Sequence, residues 1–266
     1  MKKILSLVLV AVLALTMLTA CSSKEDNAVT IASAADLAGK KIAVQEGTTG
    51  DALVTETVDG AEISRFKKVV DAGLDLKAGK VDAVVVDDLV AKKLVGNIEG
   101  LKILDEALSV EEYAIAVKKG NTELLEKINA TLKEINENGK YDSFVNAFVV
   151  DKEEQVALDP RAESTATEEI VMGTNAEFEP FEYRENDKIV GFDIEIANEI
   201  ADAMGKKLVI EDMAFDSLIT ALSAGKVDFV IAGMTATEER RQNVDFSDCY
   251  FNASQVIIIR DPDFKG

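Results

Sequence analysis

Hydrophobic and polar positions along the chain alternate between short apolar runs and longer stretches with helical spacing. Residues 41–44 and 81–86 form runs rich in β-branched side chains, which predict buried strands. Residues 122–137 and 193–204 place apolar side chains three and four positions apart, and a glycine that can end a helix follows closely after each stretch. Strands that alternate with helices in this way predict an α/β fold with mixed, mostly parallel sheets.

A pentapeptide, Ala-Gly-Lys-Val-Asp, occurs twice, at residues 78–82 and 224–228. Each copy follows a helical stretch and precedes an apolar strand, and its glycine allows the left-handed turn that ends a helix. The repeat predicts two similar α/β lobes that face each other across a cleft, with the ligand beyond the carboxyl ends of the strands. Residues 151–168 are polar and show no sustained periodicity, so they predict a linker.

The first residues are typical of a secretory signal. Two lysines precede an apolar run at residues 4–18, which is short for a membrane span of about 20 residues. The run ends in Leu-Thr-Ala-Cys, which resembles the lipobox of bacterial lipoproteins and predicts a lipid anchor on Cys21. An ordinary signal with a chance cysteine is the alternative. With residues 1–20 as the signal and 21–32 as a tether, we expect an extracytoplasmic, membrane-anchored protein at the bacterial cell surface or in the periplasm.

Composition narrows the function classes. The 266 residues include 49 acidic and 29 basic side chains, a formal net charge of −20, and no histidine. Such an acidic chain is a poor partner for nucleic acid or an anionic membrane surface. Without histidine the usual metal ligand and general base are missing, and two cysteines do not make a thiolate zinc site. We therefore expect no catalytic residue, no metal and no cofactor, and we expect Cys249 to be a small buried side chain.

Loops that follow predicted strands carry the groups of a candidate site. Residues 47–50 offer free amides at a helix start, which favours an anion, although such turns are also common without a ligand. Arg240 either binds a carboxylate with its planar fork or forms ion pairs on a solvated helix face. Asp87 either caps a helix or takes an ammonium group. Phe178 and Phe215 either belong to the core or form the walls of a cleft.

Seven segments carry a resemblance to a known family. They are residues 172–183, 191–194, 232–240 and 244–248 in the C-terminal half, and residues 36–50, 78–83 and 138–141 in the N-terminal half. As an ordered set they resemble the polar amino-acid family of extracellular solute-binding proteins. The resemblance implies a two-lobed flytrap of the periplasmic-binding-protein type II-like class, which delivers a free amino acid to the membrane subunits of an ABC importer.

The order of the two halves is reversed relative to that family, so the chain resembles a circular permutation. The resemblance implies five parts. They are a second, small lobe (33–111), a hinge crossing with helices that return to the first lobe (112–150), a linker between the family's old termini (151–168), a first, large lobe (169–260) and a tail (261–266). One crossing between the lobes would remain near residues 112–117, and the other would be cut after residues 254–260. Lobes freed by such a cut can exchange between copies, so a monomer and a domain-swapped dimer both stay open.

By resemblance, one part of the site holds the backbone groups of the amino acid. Arg240 would pair with the α-carboxylate, and the amides of Thr49 and Thr235 would add donors. The α-ammonium would be held by Asp87, the Gly233 carbonyl and the Thr235 hydroxyl. One cation and one carboxylate from opposite lobes match a zwitterion, so a bound ligand would stabilise the closed form by bridging both lobes.

The resemblance places the side chain of the ligand in a second part of the site. Phe178 and Phe215 would sandwich it, and Asn175 and Gln45 would help to select it. Asn175 stands where relatives often carry aspartate, which leaves both a basic and an amide side chain open for the ligand.

Two other function classes remain. An enzyme similar to the cyclohexadienyl dehydratases on the same fold would need an acid or base beside the ligand, for which Glu46, Glu177 and Glu182 are candidates. A lipoprotein that senses an amino acid without an importer is the second alternative.

Overall fold

The structure is a computed structural model and describes residues 30–265. The predicted signal at residues 1–20, the predicted lipidation at Cys21 and most of the predicted tether at residues 21–32 lie outside the described residues. Between residues 30 and 265, no helix combines the length and the apolar character that a membrane span requires.

Strands and helices alternate along the described residues. The strands are β1 Lys41–Gln45, β2 Glu62–Phe66, β3 Ala83–Asp87, β4 Leu101–Ala107, β5 Glu111–Lys118, β6 Glu169–Thr174, β7 Glu177–Phe178, β8 Glu182–Glu185, β9 Lys188–Val190, β10 Lys207–Asp212, β11 Phe229–Val230, β12 Val244–Ala253 and β13 Gln255–Arg260. The α-helices are α1 Thr49–Thr57, α2 Val69–Lys77, α3 Asp88–Asn97, α4 Thr122–Glu137, α5 Lys140–Phe144, α6 Phe192–Ala203, α7 Leu218–Ser223 and α8 Glu238–Arg241. The four elements predicted above from periodicity are confirmed as β1, β3, α4 and α6.

Two five-stranded sheets form the two lobes. The small-lobe sheet has the order β2-β1-β3-β13-β4, and the large-lobe sheet has the order β10-β6-β11-β5-β12. The antiparallel strands β7, β8 and β9 form a third sheet beside α6. The α/β class with mixed sheets is confirmed, but parallel pairing does not predominate. The reason is that one strand of each large sheet, β13 or β5, arrives from the other lobe and runs antiparallel to both of its neighbours.

Two strand crossings join the lobes. Residues 108–110 lead from β4 in the small lobe to β5 in the large lobe, and Ser254 alone separates β12 from β13 on the way back. The predicted cut after residues 254–260 leaves this crossing in place, because β13 passes into the small lobe and pairs there with β3 and β4. The last strand of the predicted large-lobe span of 169–260, Gln255–Arg260, therefore belongs to the small-lobe sheet.

The repeated pentapeptide makes the same contacts in both lobes. Asp82 Oδ2 accepts a hydrogen bond from the backbone N–H of Lys41 at 2.9 Å, and Asp228 Oδ2 accepts one from that of Val171 at 2.8 Å. The glycine of each copy has a φ of +71°, as a left-handed helix end requires. Each aspartate therefore ties the end of a helix to an early strand of its lobe, which agrees with two lobes of similar construction.

An aromatic cluster packs around β5, close to the crossings. Tyr113 is fully buried and meets the ring of Phe181 edge-on, with centroids 5.2 Å apart, and the ring of Phe251 at 6.0 Å. Phe192 meets Phe181 and Phe251 in turn. Burial of each such ring stabilises the fold by about 1.5–3 kcal/mol, so the strands that carry the site are held rigidly.

The predicted linker is anchored along the large lobe. Apart from a 3-10 turn at Lys152–Glu154, residues 151–168 form no helix or strand. Arg161 holds this segment through ion pairs with three carboxylates of α6, those of Glu195, Glu199 and Asp202. The linker therefore follows a defined path rather than acting as a free tether.

Cys249 is exposed, so the prediction of a buried side chain is wrong. The pairing of β12 with β5 is irregular on both sides of Cys249. Such irregularities break the simple in-and-out alternation of a strand, and here Cys249 and the preceding Asp248 both face solvent.

Candidate functional site

The small lobe contributes the turn between β1 and α1. Gln45, which is buried, ends β1, and Thr49 begins α1 after the side chain of Thr48 has capped the helix. Gly50 is packed so tightly that a Cβ atom would lie 2.7 Å from Gln255 Oε1, so a larger residue would require the Gln255 side chain to move. The turn thereby places Gln45 and Thr49 at the carboxyl end of β1, where ligands of such sheets bind.

The large lobe contributes the ends of β6 and β11 and the short helix α8. Asn175 follows β6, Gly233 and Thr235 follow β11, and Arg240 lies on α8. The Oγ1 atom of Thr237 caps α8 by accepting a hydrogen bond from the Arg240 N–H at 3.2 Å. The side chain of Arg240 turns back over the end of β11, where its Nη1 donates to the Thr235 carbonyl at 2.8 Å.

Direct hydrogen bonds join the small-lobe residues of the site to the large-lobe residues across the cleft. Gln45 Nε2 donates to Asn175 Oδ1 at 2.7 Å, and Arg240 Nη2 donates to the Gly47 carbonyl at 3.0 Å. Asn175 also donates through Nδ2 to the Met213 carbonyl at 2.8 Å. The lobes are therefore in contact at the candidate site, which is the closed arrangement of such a pair of lobes.

Ion pairs at the rim of the cleft also join the lobes. Lys67 lies 2.8 Å from Asp216 across the cleft and 2.9 Å from Glu46 on its own lobe. Lys68 lies 2.5 Å from Glu177. Both lysine side chains are about half exposed, so each pair stabilises closure by about 1 kcal/mol or less.

Arg240 is the cation of the candidate site. Within residues 30–265 no carboxylate lies within 4.0 Å of its guanidinium nitrogens, which instead contact backbone carbonyls. The guanidinium stands over the ring of Phe215, 5.3 Å from its centroid. Burial lowers the pKa of Arg240, while the neighbouring carboxylates of Glu111 and Asp87 act in the opposite direction. The group stays available to pair with an anion.

Glu111 connects the two threonines of the predicted site. It begins β5 at the first crossing and is 4% exposed. Its Oε2 accepts hydrogen bonds from Thr49 Oγ1 of the small lobe at 2.7 Å and from Thr235 Oγ1 of the large lobe at 2.5 Å. Its Oε1 accepts one from Ser109 Oγ at 3.2 Å. A buried carboxylate therefore lies between the two lobes at the hinge.

Asp87 stands at the N-cap position of α3, but its side chain makes no capping hydrogen bond. The capping alternative is therefore wrong. The carboxylate instead accepts a hydrogen bond from the Tyr113 hydroxyl. Burial, followed by repulsion from Glu111, raises the pKa of Asp87 to about 7.

The two aromatic side chains of the predicted site have different surroundings. Phe178 is 6% exposed and stacks on Phe181, with centroids 6.1 Å apart. It also covers Gly233, whose φ is +52° and where a Cβ atom would lie 2.9 Å from the ring. Phe215 lies under Arg240. The sandwich of a ligand between the two rings stays a prediction.

A cavity of about 470 Å³ opens beside Arg240. Thr49, Phe215 and Arg240 line it, together with the acidic side chains of Glu56 and Glu239. The other predicted site residues lie outside this lining and join the contacts described above: Gln45, Asp87, Asn175, Phe178, Gly233 and Thr235. The structure thus brings all nine predicted residues to the junction of the lobes, and three of them to an open space.

The three candidate acids of the enzyme alternative are all engaged elsewhere. Glu46 and Glu177 form the rim ion pairs with lysines. Glu182 is fully buried against the carboxyl group of Asp193, and burial raises the pKa of Glu182 well above its usual range. None of the three contacts Arg240 or the threonines of the site.

Three residues of the site network were missed by the sequence reasoning: Glu111, Tyr113 and Gln255. All three lie on the crossing strands β5 and β13, not in loops after strands. Glu111 and Gln255 are polar side chains at positions that the strand pattern buries, with 4% and 0% exposure. A polar residue at a buried strand position is the signal that points to them.

The chain is similar to proteins that bind amino acids. The arginine-binding extracellular protein ArtP of Bacillus subtilis is 51% identical over 89 residues, which is 34% of this chain and 35% of that protein. The L-cystine-binding protein TcyJ of Escherichia coli K12 is 34% identical over 117 residues, which is 44% of each. The chain therefore spans less than half the length of these curated relatives.

A solved structure and a family profile match as well. The crystal structure of the arginine-bound form of domain 1 from TmArgBP is 44% identical over 36% of this chain and 80% of that chain, with a TM-score of 0.31. Residues 170–264 match the profile of the bacterial extracellular solute-binding proteins, family 3. Over residues 170–264, the chain is therefore similar to family 3 of the bacterial extracellular solute-binding proteins.

Proposed function

We propose that this protein captures a polar L-amino acid between its two lobes outside the cytoplasm and delivers it to an ABC importer. It is a binding protein and not an enzyme. The observation that carries the proposal is the position of Arg240, a guanidinium that has no carboxylate partner among residues 30–265 and that contacts both lobes beside two threonine side chains. An α-carboxylate is the anion that this planar fork would accept.

The α-ammonium group of the amino acid would have its partner, Asp87, on the opposite lobe from Arg240. Asp87 ends β3 of the small lobe and lies near enough to Arg240 to act on its pKa. An α-ammonium beside Asp87 and an α-carboxylate beside Arg240 would leave neither charge of the amino acid unpaired. Because the two groups belong to different lobes, the ligand would favour closure through contacts that only the closed form makes.

The names of the relatives support an amino acid as the ligand. ArtP and the TmArgBP domain are named for arginine, and TcyJ is named for cystine. The positions of Glu46, Glu177 and Glu182 argue against dehydratase chemistry, since none of them contacts the arginine or the threonines that would hold the substrate.

Calorimetric titration of Arg240→Ala with a panel of amino acids tests the proposal. Loss of the carboxylate partner should weaken binding by about 2–5 kcal/mol. Arg241→Ala is the matched control, because Arg241 lies next in the chain, is exposed and pairs with Glu238. Equal affinity of Arg240→Ala and the parent protein would refute the assignment of the carboxylate site.

Thermal shift tests the ligand class itself. A ligand at one hundred times its dissociation constant stabilises the folded state by about 2.7 kcal/mol. If no amino acid shifts the unfolding temperature, the binding function fails. Uptake of a labelled amino acid by cells tests delivery separately, and binding without uptake would leave the sensing lipoprotein as the function.

The membrane anchor follows from the lipobox-like segment that ends at Cys21. We expect metabolic labelling with a tagged palmitate to modify the full chain and to be abolished by Cys21→Ser. Cys249→Ser is the matched control, because Cys249 is the other cysteine of the chain and should leave the labelling unchanged. Labelling that persists in Cys21→Ser would contradict the anchor.

The circular permutation is also a proposal. It is supported by the family match, which falls on residues 170–264, while the segments that resemble the other half of the family precede it. A rearranged gene that encodes residues 169–266 before residues 33–150 should give a protein with the same ligand affinity. A rearranged chain that does not fold would contradict the permutation.

A further inference from the structure

Two carboxylates lie buried at the hinge, and no described residue gives either of them a basic partner. Glu111 and Asp87 are each 4% exposed. Among residues 30–265 no lysine or arginine lies within ion-pair distance of either carboxylate. Hydroxyl groups donate hydrogen bonds to both carboxylates, and hydroxyl groups carry no compensating charge.

Arg240 and Glu111 both form hydrogen bonds with Thr235, Arg240 with its carbonyl and Glu111 with its hydroxyl. Burial lowers the pKa of Arg240, and the negative charges of Glu111 and Asp87 act in the opposite direction. When both acids are ionised, this group of three has a net charge of −1. The walls of the adjoining cavity add negative charge, since Glu56 and Glu239 line it together with Arg240.

A neutral amino acid does not remove this imbalance. Its carboxylate and ammonium groups cancel one another, so the closed cleft keeps one unpaired negative charge. An amino acid with a cationic side chain adds a charge of +1 and balances the site. Charges in a region of low dielectric constant act over several ångströms, so the carboxylate need not touch the side chain of the ligand to favour it.

We propose that Glu111 is a charge-selecting residue, which together with Asp87 makes the cleft prefer an amino acid with a cationic side chain over a neutral one of the same shape. The proposal rests on the proposed function, because it names the ligand class of the same site. Glu111 is suited to this role because it lies on a crossing strand and contacts Thr49 and Thr235, one from each lobe. Its charge is therefore enclosed when the lobes close.

Arginine and citrulline are the probes, because they differ in the charge of the side chain and hardly in its shape. We expect calorimetry at pH 8 to show at least about tenfold tighter binding of arginine by the parent protein. Glu111→Gln, which keeps the size and an acceptor oxygen, should reduce this ratio by about tenfold. Glu112→Gln is the matched control, because Glu112 neighbours Glu111 on β5 but is exposed, and it should keep the parent ratio.

The outcomes separate this inference from the function on which it rests. If the parent protein binds no amino acid, the proposed function fails. If it binds citrulline as tightly as arginine, the charge selection is overturned without recourse to any variant. If a folded Glu111→Gln keeps the parent ratio, the selection does not come from Glu111. Should Glu111→Gln not fold, Asp87→Asn tests the same charge balance and should lower the ratio in the same direction.

Discussion

Gln45 Nε2 and Asn175 Oδ1 lie 2.7 Å apart, and their hydrogen bond joins side chains that are 130 residues apart in the chain and belong to different lobes. Both side chains are buried, with 2% and 5% exposure. Asn175 accepts from Gln45 and donates to the Met213 carbonyl, so both ends of its amide are used. An amide therefore suits this position, because its oxygen and its NH₂ group each have a hydrogen-bond partner.

Replacement of Asn175 by aspartate should destabilise the closed protein. A carboxylate still accepts from Gln45 but cannot donate to the Met213 carbonyl, which would face a buried negative charge. We expect the free energy of unfolding in urea at pH 7.5 to fall by about 1–3 kcal/mol. Asn252→Asp, at an exposed position of β12, should change it by about 0.5 kcal/mol or less. Equal losses in the two variants would show that the Met213 contact is not responsible.

Asp87 should make the protein less stable as the pH rises. Its pKa is about 7 in the folded state against a usual 3.8, so between these values the folded protein binds more protons than the unfolded chain. The free energy of unfolding contributed by this group is therefore greatest below pH 3.8 and is lost as the pH rises through 7. Asp87→Asn removes the buried charge and should be more stable than the parent protein at pH 8 by a few kcal/mol, on the order expected for such a shift.

Urea unfolding at pH 5 and pH 8 measures this difference. The gap between Asp87→Asn and the parent protein should widen from pH 5 to pH 8. Asp88→Asn is the matched control, because Asp88 is the next residue and is only partly buried. A gap that is the same at both pH values would mean that Asp87 does not titrate in this range.

Replacement of either of two glycines by alanine should change the stability of the fold, in opposite directions for the two positions. Gly225 has a φ of +71° and Gly96 lies within α3, and at both positions an added Cβ atom meets no other atom within 4 Å. Gly225→Ala should therefore destabilise the fold by about 1–2 kcal/mol through conformation alone. Gly96→Ala should stabilise it by about 0.5–1 kcal/mol, because alanine loses less backbone entropy in a helix. Chemical denaturation measures the change in the free energy of unfolding of each variant. Changes in the same direction for both variants would contradict this explanation.

Arg161 should control access of proteases to the linker. It pairs with Glu195, Glu199 and Asp202 on α6, and its removal would free the segment around it. We expect Arg161→Ala to be cleaved several-fold faster within residues 151–168 during limited proteolysis, with the cut sites mapped by mass spectrometry. Lys152→Ala, an exposed residue of the same segment, should behave like the parent protein. Unchanged cleavage of Arg161→Ala would mean that other contacts fix the linker.

Local patterns in the sequence predicted the main elements and the chemical groups of the candidate site. The apolar runs and helical spacing predicted β1, β3, α4 and α6 because burial on one face depends on neighbours a few residues apart. The repeated pentapeptide indicated two lobes because each copy makes the same local turn. Within each lobe the predicted site residues lie at one edge, because strand ends of one sheet share an edge whatever the distance along the chain.

Relationships between distant residues were decided only by the tertiary structure. The passage of β13 into the small lobe, the Tyr113 partner of Asp87 and the exposure of Cys249 each depend on which strand lies opposite. Glu111 is the clearest case, since its carboxylate meets threonines 62 and 124 residues away. The sequence by itself determined which chemical groups stand at the strand ends. The crossing strands determined which of those groups share one buried space. The reason is that charged and hydrogen-bonding groups from both lobes come close to each other only beside these strands.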